Sequence, residues 1–227
     1  GKQVLSGYKL SLSRSGDTYK LTDVKKDNES VLRGYTTEGA NFYPLDSIRN
    51  DNPDSANDND HNDYFGMRYD IEFKIGDYLG DLNYTFKGDD DLWAVLDANE
   101  NGGKVVIDLG GIHSALDKSV DLWKTILGND NYTPEDKKNL SEDERNKTHT
   151  LTILYMERGA YASNCQMEFT LPNSKVINSE EAEKSLTFTK TTTSGTALAG
   201  ATFTLYASDG TTVKDTAVSS PNGTVTF

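Results

Sequence analysis

The sequence predicts an all-β protein: an antiparallel β-sandwich with a short helical insertion, followed by a partial second β-sandwich. Apolar and polar residues alternate with a period of two in many short runs. Asn, Asp, Gly and Ser separate these runs, and the chain has only 5 prolines in 227 residues. It also carries 12 tyrosines, 8 phenylalanines and 2 tryptophans, which are enough large side chains to build a core.

The clearest predicted strand is "RYDIEFKI", residues 68–75, in which the apolar residues at every second position share one face. The same alternation occurs in "YKLSL" and "TYKL" near the N-terminus, in "LTILYME" from Leu151 and in "QMEFTL" from Gln166. Strands that bury one face indicate an antiparallel sandwich or barrel.

Residues 117–147 follow a different pattern, with apolar side chains at helical spacing: Val120, Trp123 and Leu127. Thr133 is a plausible N-cap with Pro134 in the first helical position. The sequence "SEDE", starting at Ser141, has a capping-box pattern. These signals predict a helical insertion between strands of one domain.

The predicted domains are residues 1–177 and 184–227. The polar segment "NSEEAE" separates them, and the chain beyond it is rich in Thr and Gly, with hairpin turn signals at "SDGT" and "PNGT". A unit of about 44 residues is too short to build a comfortable core by itself. The second domain is therefore predicted to be partial.

Charge and composition exclude several functions. A net charge of -13 disfavours nucleic acid, which needs a basic surface. No apolar run approaches the roughly 20 residues of a membrane span, so no membrane insertion is expected. Three histidines and one cysteine provide no metal-binding pair, no phosphate loop follows any strand, and no carboxylate pair is singled out for catalysis. We therefore expect a protein that is not an enzyme.

The segment "YTFKGDDDLWAVLD" places Asp89, Asp90 and Asp91 between two apolar runs. Adjacent like charges repel by roughly 1 kcal/mol per pair in water, and Asp is a poor strand residue. Either the triplet is a solvated turn or a cation removes the repulsion. Ca²⁺ suits such a site because it takes six to eight oxygen ligands with flexible geometry.

Two further acidic segments have calcium-loop spacing. "DANENGGKVVID" resembles an EF-hand loop, but β-like runs flank it, so we expect a hairpin turn. The tract "NDNPDSANDNDHND", residues 50–63, is expected to be a polar surface loop, with adventitious cation binding left open. The loop "ERGAYASNC", residues 157–165, joins two predicted strands and is either a structural turn or a place where Asn164 donates an oxygen.

Five motifs occur in an order that resembles the fibro-slime domain, a relative of the protective-antigen-type β-sandwich of lectins: "NFYPLD", "HNDYFGM", "YTFKGDDDLWAVLD", "KVVIDLGGIH" and "LYMERGAYASNCQMEF". The resemblance covers roughly residues 41–171. It implies a Ca²⁺ ion on two consecutive aspartates joined by a cis peptide, with sugar hydroxyls bound to the ion. It also implies that a helical insertion near the pocket would cover or reshape it.

Carried over to this chain, the implied metal ligands are Asp89 and Asp90, with Asp90 and Asp91 as the alternative pair. Asn164 matches a loop asparagine expected as a further ligand to the metal and its sugar. Two residues of "KVVIDLGGIH", Asp108 and His113, are additional ligand-binding candidates.

The C-terminal segment is similar to the Cna-B-type, prealbumin-like (SpaA-type) repeats of Gram-positive surface proteins, through "LTFTKT" and "LAGATFTLYASDGT". In such repeats a strand lysine forms an isopeptide bond, and Lys190 matches that lysine. The later strands of this repeat, which would supply the partners of the lysine, are expected beyond residue 227. Further domains of a longer surface protein are expected as well.

These expectations combine into one hypothesis: a secreted or cell-wall-attached adhesin that binds Ca²⁺ and recognises glycans or other ligands on host or microbial cell surfaces. The alternative is a structural or protein-binding surface module, such as a pilus tip, in which calcium only stabilises loops.

Overall fold

The computed structural model describes residues 4–48, 61–99, 103–111, 113–159, 162–177, 187–206, 211 and 213–226. Some sequence predictions lie outside these residues: most of the acidic tract at 50–63, the polar segment at 178–183 and the "SDG" turn at 208–210. The chain divides into two compact units, residues 1–180 and residues 181–227.

The first unit contains eleven described strands and three short helices. The strands are β1 (Tyr8–Ser15), β2 (Thr18–Lys26), β3 (Glu29–Ser30), β4 (Phe65–Phe73), β5 (Asn83–Gly88), β6 (Asp91–Leu96), β7 (Lys104–Leu109), β8 (Leu116–Asp121), β9 (His149–Glu157), β10 (Cys165–Thr170) and β11 (Lys175–Ile177). The helices are α1 (Leu122–Leu127), α2 (Pro134–Lys138) and α3 (Glu142–Asn146).

The strands form two antiparallel sheets that share one core. One sheet has the order β1-β2-β10-β5-β8, with β3 paired to β2, and the other has the order β11-β4-β9-β6-β7. Side chains from both sheets meet between them, as where Phe86 of β5 packs on Tyr155 of β9 with ring centroids 6.0 Å apart. The prediction of an all-β sandwich with a helical insertion is confirmed.

Strand alternation explains which side chains enter this core. In β4 and just beyond it the apolar residues Tyr69, Ile71, Phe73 and Ile75 are buried, as the period-two pattern predicts. The intervening charged residues are exposed or half-buried. Cys165, at the start of β10, is a fully buried free thiol, which agrees with its position in an alternating strand.

The N-terminal segment belongs to the same sandwich and supports the loop before β10. β2 pairs with β10, and further along the chain Ala40 bridges to Asn164. Phe42 N donates to Ser163 O (3.0 Å), and Cys165 N donates to Gly39 O (2.9 Å). A Cβ on Gly39 would lie 2.8 Å from Gln166 Cβ, so this close approach requires glycine. Residues 39–42 therefore hold residues 163–165 in place.

The helical insertion begins later than the sequence predicted. Val120 lies in β8, and α1 starts after Asp121, whose side chain accepts from Trp123 N as the N-cap. The predicted cap at Thr133 is confirmed and forms a capping box with Asp136. Ser141 caps α3 through Glu144 N, without the reciprocal bond that a capping box requires.

The register of β5 and β8 places this insertion away from the aspartate triplet. Asn83, at the start of β5, pairs with Asp121, whereas Gly88, at its end, pairs with Leu116. The two ends of such a strand are about 17 Å apart at 3.4 Å per residue. Because α1 follows Asp121 directly, it starts at the end of β5 opposite to Asp89. The expectation that the insertion covers or reshapes the pocket is not met for α1.

The second unit contains β12 (Thr187–Thr189), β13 (Thr202–Tyr206), β14 (Val213–Val218) and β15 (Thr224–Thr226). β12 pairs with β15, and β13 pairs with β14, both antiparallel. Phe188 and Phe203 pack edge to face at 5.0 Å, and Val225 is fully buried. The predicted "PNGT" turn is present before β15, where Gly223 N donates to Ser220 O (2.8 Å).

Candidate metal centre

Three loops converge at one end of the sandwich: the β5–β6 connection with Asp89 and Asp90, the β9–β10 connection, and the turn after β7. The register brings the first two together, because Gly88 pairs with Cys165 and Asp91 pairs with Met156. Asp89 and Asp90 therefore lie opposite residues 157–159 and 162–164.

Asp89, Asp90 and Glu157 form a carboxylate cluster. One oxygen from each lies within 4.8 Å of the other two, and no other such group of metal-binding side chains occurs among the described residues. Asp89 and Asp90 are half-buried, whereas Glu157 is only 1% exposed. Glu157 is not among the metal-site residues that the sequence predicts.

Glu157 is held firmly in this cluster. Tyr155 Oη donates to its Oε2 (3.1 Å) and Gly159 N donates to its Oε1 (2.9 Å). Burial, followed by a hydrogen bond with Asp90, raises the pKa of Glu157 to about 9. The high pKa indicates that the cluster resists carrying three negative charges.

The predicted ligand Asn164 is in contact with the cluster. Its backbone N donates to Asp89 Oδ1 (3.0 Å), and its side-chain Nδ2 donates to Asp89 Oδ2 (2.6 Å). Asp90 Oδ1 accepts from the backbone N of Arg158 (3.2 Å). The structure thus brings together three of the predicted metal-site residues, Asp89, Asp90 and Asn164. The hydrogen bonds that the two aspartates accept here come from backbone and side-chain amide groups.

Asp91 is bound differently from its two neighbours. The Arg158 guanidinium approaches it with two nitrogens, Nε 2.8 Å from Oδ2 and Nη2 2.8 Å from Oδ1. Gly111 N also donates to Oδ1 (2.9 Å), and the Asp91 side chain is 6% exposed. Asp91 therefore has a protein cation of its own and lies outside the carboxylate cluster.

The other two ligand-binding candidates make local contacts. Asp108 Oδ1 accepts from Gly110 N (3.1 Å). His113 contacts the carbonyl oxygens of Ser114 (3.0 Å) and Leu109 (3.1 Å) through its two ring nitrogens. Both residues border the turn whose Gly111 contacts Asp91, but neither belongs to the carboxylate cluster. Their roles in ligand binding remain predictions.

The donor set suits a hard divalent cation. Carboxylate and amide oxygens are the ligands that Ca²⁺ prefers, and neither imidazole nor thiolate belongs to the cluster. All peptide bonds among the described residues are trans, so the cis linkage implied for Asp89 and Asp90 is not observed.

Lys190 in the second unit lies directly after β12 and is half-buried. Its backbone N donates to Gly223 O (2.7 Å), and its carbonyl accepts from Leu198 N (2.9 Å). A Cβ on Gly223 would lie 2.4 Å from Lys190 O, so the chain needs glycine beside this residue. These contacts fix the backbone at Lys190, and its isopeptide chemistry stays a prediction.

One protein family matches the C-terminal part of the chain. Residues 184–227 match the family described as SpaA, prealbumin-like fold domain, which confirms the prediction of a prealbumin-like C-terminal unit. No solved structure matches the chain with statistical significance. None of the described helices has the length and apolarity needed to span a bilayer.

The chain is also similar to proteins of Dictyostelium discoideum. Protein psiC is 34% identical over 106 residues, which is 45% of this chain and 19% of psiC. Protein psiK is 28% identical over 170 residues (70% and 20%), and protein psiR is 30% identical over 162 residues (71% and 14%). The chain thus spans about a fifth or less of these relatives. They offer no support for a Gram-positive origin.

Proposed function

We propose that the first unit is a calcium-dependent glycan-binding module of a cell-surface adhesin, and that it is not an enzyme. The observation that carries the proposal is the carboxylate cluster, which gathers three acids without a protein side-chain cation among them. The nearest guanidinium, that of Arg158, is paired with Asp91.

The electrostatics of the cluster favour an external cation. Two unit charges 4.8 Å apart repel by about 1 kcal/mol in bulk water and by about 3.5 kcal/mol at an effective dielectric constant of 20. Glu157 is buried, so screening by water is weak at that member of the cluster. A Ca²⁺ ion would replace this repulsion with attraction to all three carboxylates.

The exposure of the cluster supports the proposal of glycan binding. Asp89 and Asp90 are half-buried, so a ligand can approach the ion from solvent. Ca²⁺ takes six to eight oxygens, more than three carboxylates and one amide supply when each gives one oxygen. Sugar hydroxyls would complete the shell. Asn164 would contribute its amide oxygen after rotating about χ2, since the two ends of an amide are nearly the same size.

The surface location is supported by the two resemblances. The first unit resembles the fibro-slime domain, and the second matches a prealbumin-like domain family that is typical of surface proteins. We therefore place the module outside the cell, as part of a longer secreted or wall-attached protein. Proteins psiC and psiK are much longer than the matched region, which is consistent with further domains.

A glycan array probed in calcium and in chelator tests this function. We expect signal in calcium that disappears in chelator and in Asp90→Asn. Asp130→Asn serves as the matched control, because that exposed aspartate follows α1, which starts at the end of β5 opposite to Asp89. Equal signal with and without calcium, or a blank array from a calcium-loaded protein, contradicts the glycan proposal.

A structural role for calcium is the second candidate, and the convergence of three loops favours it. Asn164 links the β9–β10 connection to Asp89, and Arg158 links it to Asp91. Asp91 in turn accepts from Gly111 N in the turn after β7. A cation would tie them further without any sugar. This candidate predicts a calcium-dependent rise in melting temperature, a blank glycan array, and capture of a protein ligand that is lost in chelator.

A further inference from the structure

The outer face of the five-stranded sheet carries an apolar platform formed by Trp93, Val95, Val105, Leu154 and Met156. The strand register brings them together, because Leu154 pairs with Trp93 and Val95 pairs with Val105. Leu154, Met156 and Val105 are 38%, 43% and 60% exposed, whereas Trp93 and Val95 are half-buried. Along β6 and β9 these residues alternate with buried ones, so they face away from the core.

A polar row crosses the outer face of the other sheet. Lys20 pairs with Glu168, and Glu168 pairs with Thr85. Thr85 pairs in turn with Ser119, and its hydroxyl donates to the Ser119 hydroxyl (2.9 Å). A contiguous apolar patch on the surface of a soluble protein commonly marks an interaction site. The contrast between the two sheets therefore points to a ligand for the apolar platform.

Polar side chains border the apolar platform on two sides. Asp108 pairs with Trp93 across β6 and β7 and is exposed. Arg68 pairs with Leu154 across β4 and β9, and its side chain is 56% exposed. A carboxylate accepts hydrogen bonds and a guanidinium donates them. A ligand on the platform can thus meet an acceptor on one side and a donor on the other.

The apolar platform is continuous with the end of the sandwich that carries the carboxylate cluster. Met156 directly precedes Glu157 on β9. Trp93 follows Asp90 by three residues, which is about 10 Å along an extended strand. A Cβ on Gly110 would lie 2.6 Å from Trp93 Cζ2, so the indole lies against the turn after β7, one of the three loops that converge on the cluster.

The size and charge of the platform favour a small ligand. Its partly exposed side chains present on the order of a few hundred Å², whereas a standard protein interface takes about 800 Å² from each partner. The net charge of -13 also opposes pairing with a second copy of the chain. A sugar ring has a C–H face that can stack on an indole and hydroxyls that can donate to a carboxylate, and Trp93 and Asp108 are adjacent.

We propose that the apolar platform extends the glycan site, so that one unit of an oligosaccharide stacks on Trp93 while another unit is bound at the carboxylate cluster. Asp108 accepts hydrogen bonds from the hydroxyls of the stacked unit. This inference rests on the proposed glycan function and adds to it the length of the ligand. A chain of several sugar units should bind more tightly than a single sugar.

A glycan array in calcium that displays single sugars and longer chains of the same sugars tests this inference. We expect wild type to bind the longer chains more strongly. Trp93→Ala should lose roughly tenfold in affinity for them, while calorimetric titration with calcium chloride gives the wild-type calcium affinity. Thr85→Ala, in the polar row of the other sheet, is the matched control and should bind like wild type.

A fluorescence measurement on the wild-type chain tests the same contact without a substitution. The chain has two tryptophans, and Trp123 is fully buried. Quenching of the emission by acrylamide therefore reports mainly on Trp93. We expect the longest glycan bound on the array, added in solution, to protect the emission from the quencher.

The outcomes separate this inference from the proposed function. If wild type binds the longer chains and neither Trp93→Ala nor the glycan-bound quenching shows a change, the inference is refuted and the glycan function stands. If the array is blank for the calcium-loaded wild type, both fail, and the apolar platform is left as a surface for a protein ligand. If Trp93→Ala does not fold, the quenching measurement decides.

Discussion

Acidic side chains lie at both ends of strand β6, and the fold balances their negative charge at one end but not at the other. At its C-terminal end Asp97 Oδ2 lies 3.0 Å from both Lys147 Nζ and His149 Nδ1, while its Oδ1 accepts from Thr150 N (3.0 Å). Burial works to raise the pKa of Asp97, but the hydrogen bonds from His149, Thr150 N and Lys147 lower it to about 2. This acid is neutralised by the fold itself.

At the N-terminal end the fold supplies no such charge to the carboxylate cluster. The guanidinium of Arg158 donates to Asp91, whereas Asp90 accepts a hydrogen bond from the backbone N of Arg158. The pKa of Glu157 moves up, to about 9, whereas that of Asp97 moves down. The difference shows how an acid that stabilises the fold can be told from one placed to bind an external cation.

Removing the acid at the Asp97 end should have the largest effect on stability. Asp97→Asn removes the carboxylate that contacts both His149, which is 1% exposed, and Lys147. Breaking a buried ion pair by removing one partner costs about 3 kcal/mol or more. We expect urea denaturation to show this loss equally in calcium and in chelator. A loss of stability seen only in calcium would contradict the claim that Asp97 stabilises the fold without an external cation.

The corresponding change in the cluster should act through calcium instead. Calcium at 100 times its dissociation constant should stabilise wild type by about 2.7 kcal/mol per site, and Asp90→Asn should lose one such contribution. In chelator this variant should be as stable as wild type or more stable by on the order of 1 kcal/mol, because a repulsion is removed. Destabilisation in chelator would place Asp90 in the same class as Asp97.

A substitution that changes no charge can disturb the loops that hold the cluster. A Cβ on Gly88 would lie 2.4 Å from both the Asn164 carbonyl oxygen and Phe86 Cζ. We expect Gly88→Ala to cost about 1–3 kcal/mol and to weaken calcium binding. Gly66→Ala is the control, because its added Cβ has Tyr155 O as its nearest neighbour at 3.7 Å. Equal calcium affinity in both variants would show that the position of this loop does not affect calcium binding, against the prediction.

The two acids also affect the pH dependence of unfolding in chelator. The stability from Asp97 is fully present above its ordinary pKa of 3.8 and is lost as the pH falls toward 2. Glu157 behaves oppositely: its contribution is fully present below 4.5 and is lost as the pH rises through 9. Asp97→Asn should flatten the acid limb, and Glu157→Gln the alkaline limb. If either variant has the wild-type pH profile, the substituted acid does not contribute to the pH dependence of stability and the prediction for it is wrong.

Strand alternation made much of this predictable. It identified the buried face of β4 and the position of Cys165, and the hairpin expected around Asp97 is formed by β6 and β7. The same alternation also indicates that Glu157 points inward, because it lies on the same face of β9 as the buried Leu151, Ile153 and Tyr155. An acid at an inward-facing position could have been recognised as a site residue.

Other features depend on distances that a sequence does not contain. The three adjacent aspartates look equivalent, and only the approach of Arg158 separates Asp91 from Asp89 and Asp90. The start of α1 was misjudged because Val120 fits both a helical and a strand pattern. Which end of the sandwich carries the insertion depends on the pairing of β5 with β8.

The most direct test of the central claim is an anomalous difference map from crystals grown in calcium chloride. We expect a calcium peak 2.3–2.6 Å from oxygens of Asp89, Asp90 and Glu157, with the Asn164 amide oxygen turned toward it. Ordered carboxylates that hold only water or a proton at saturating calcium would contradict the claim.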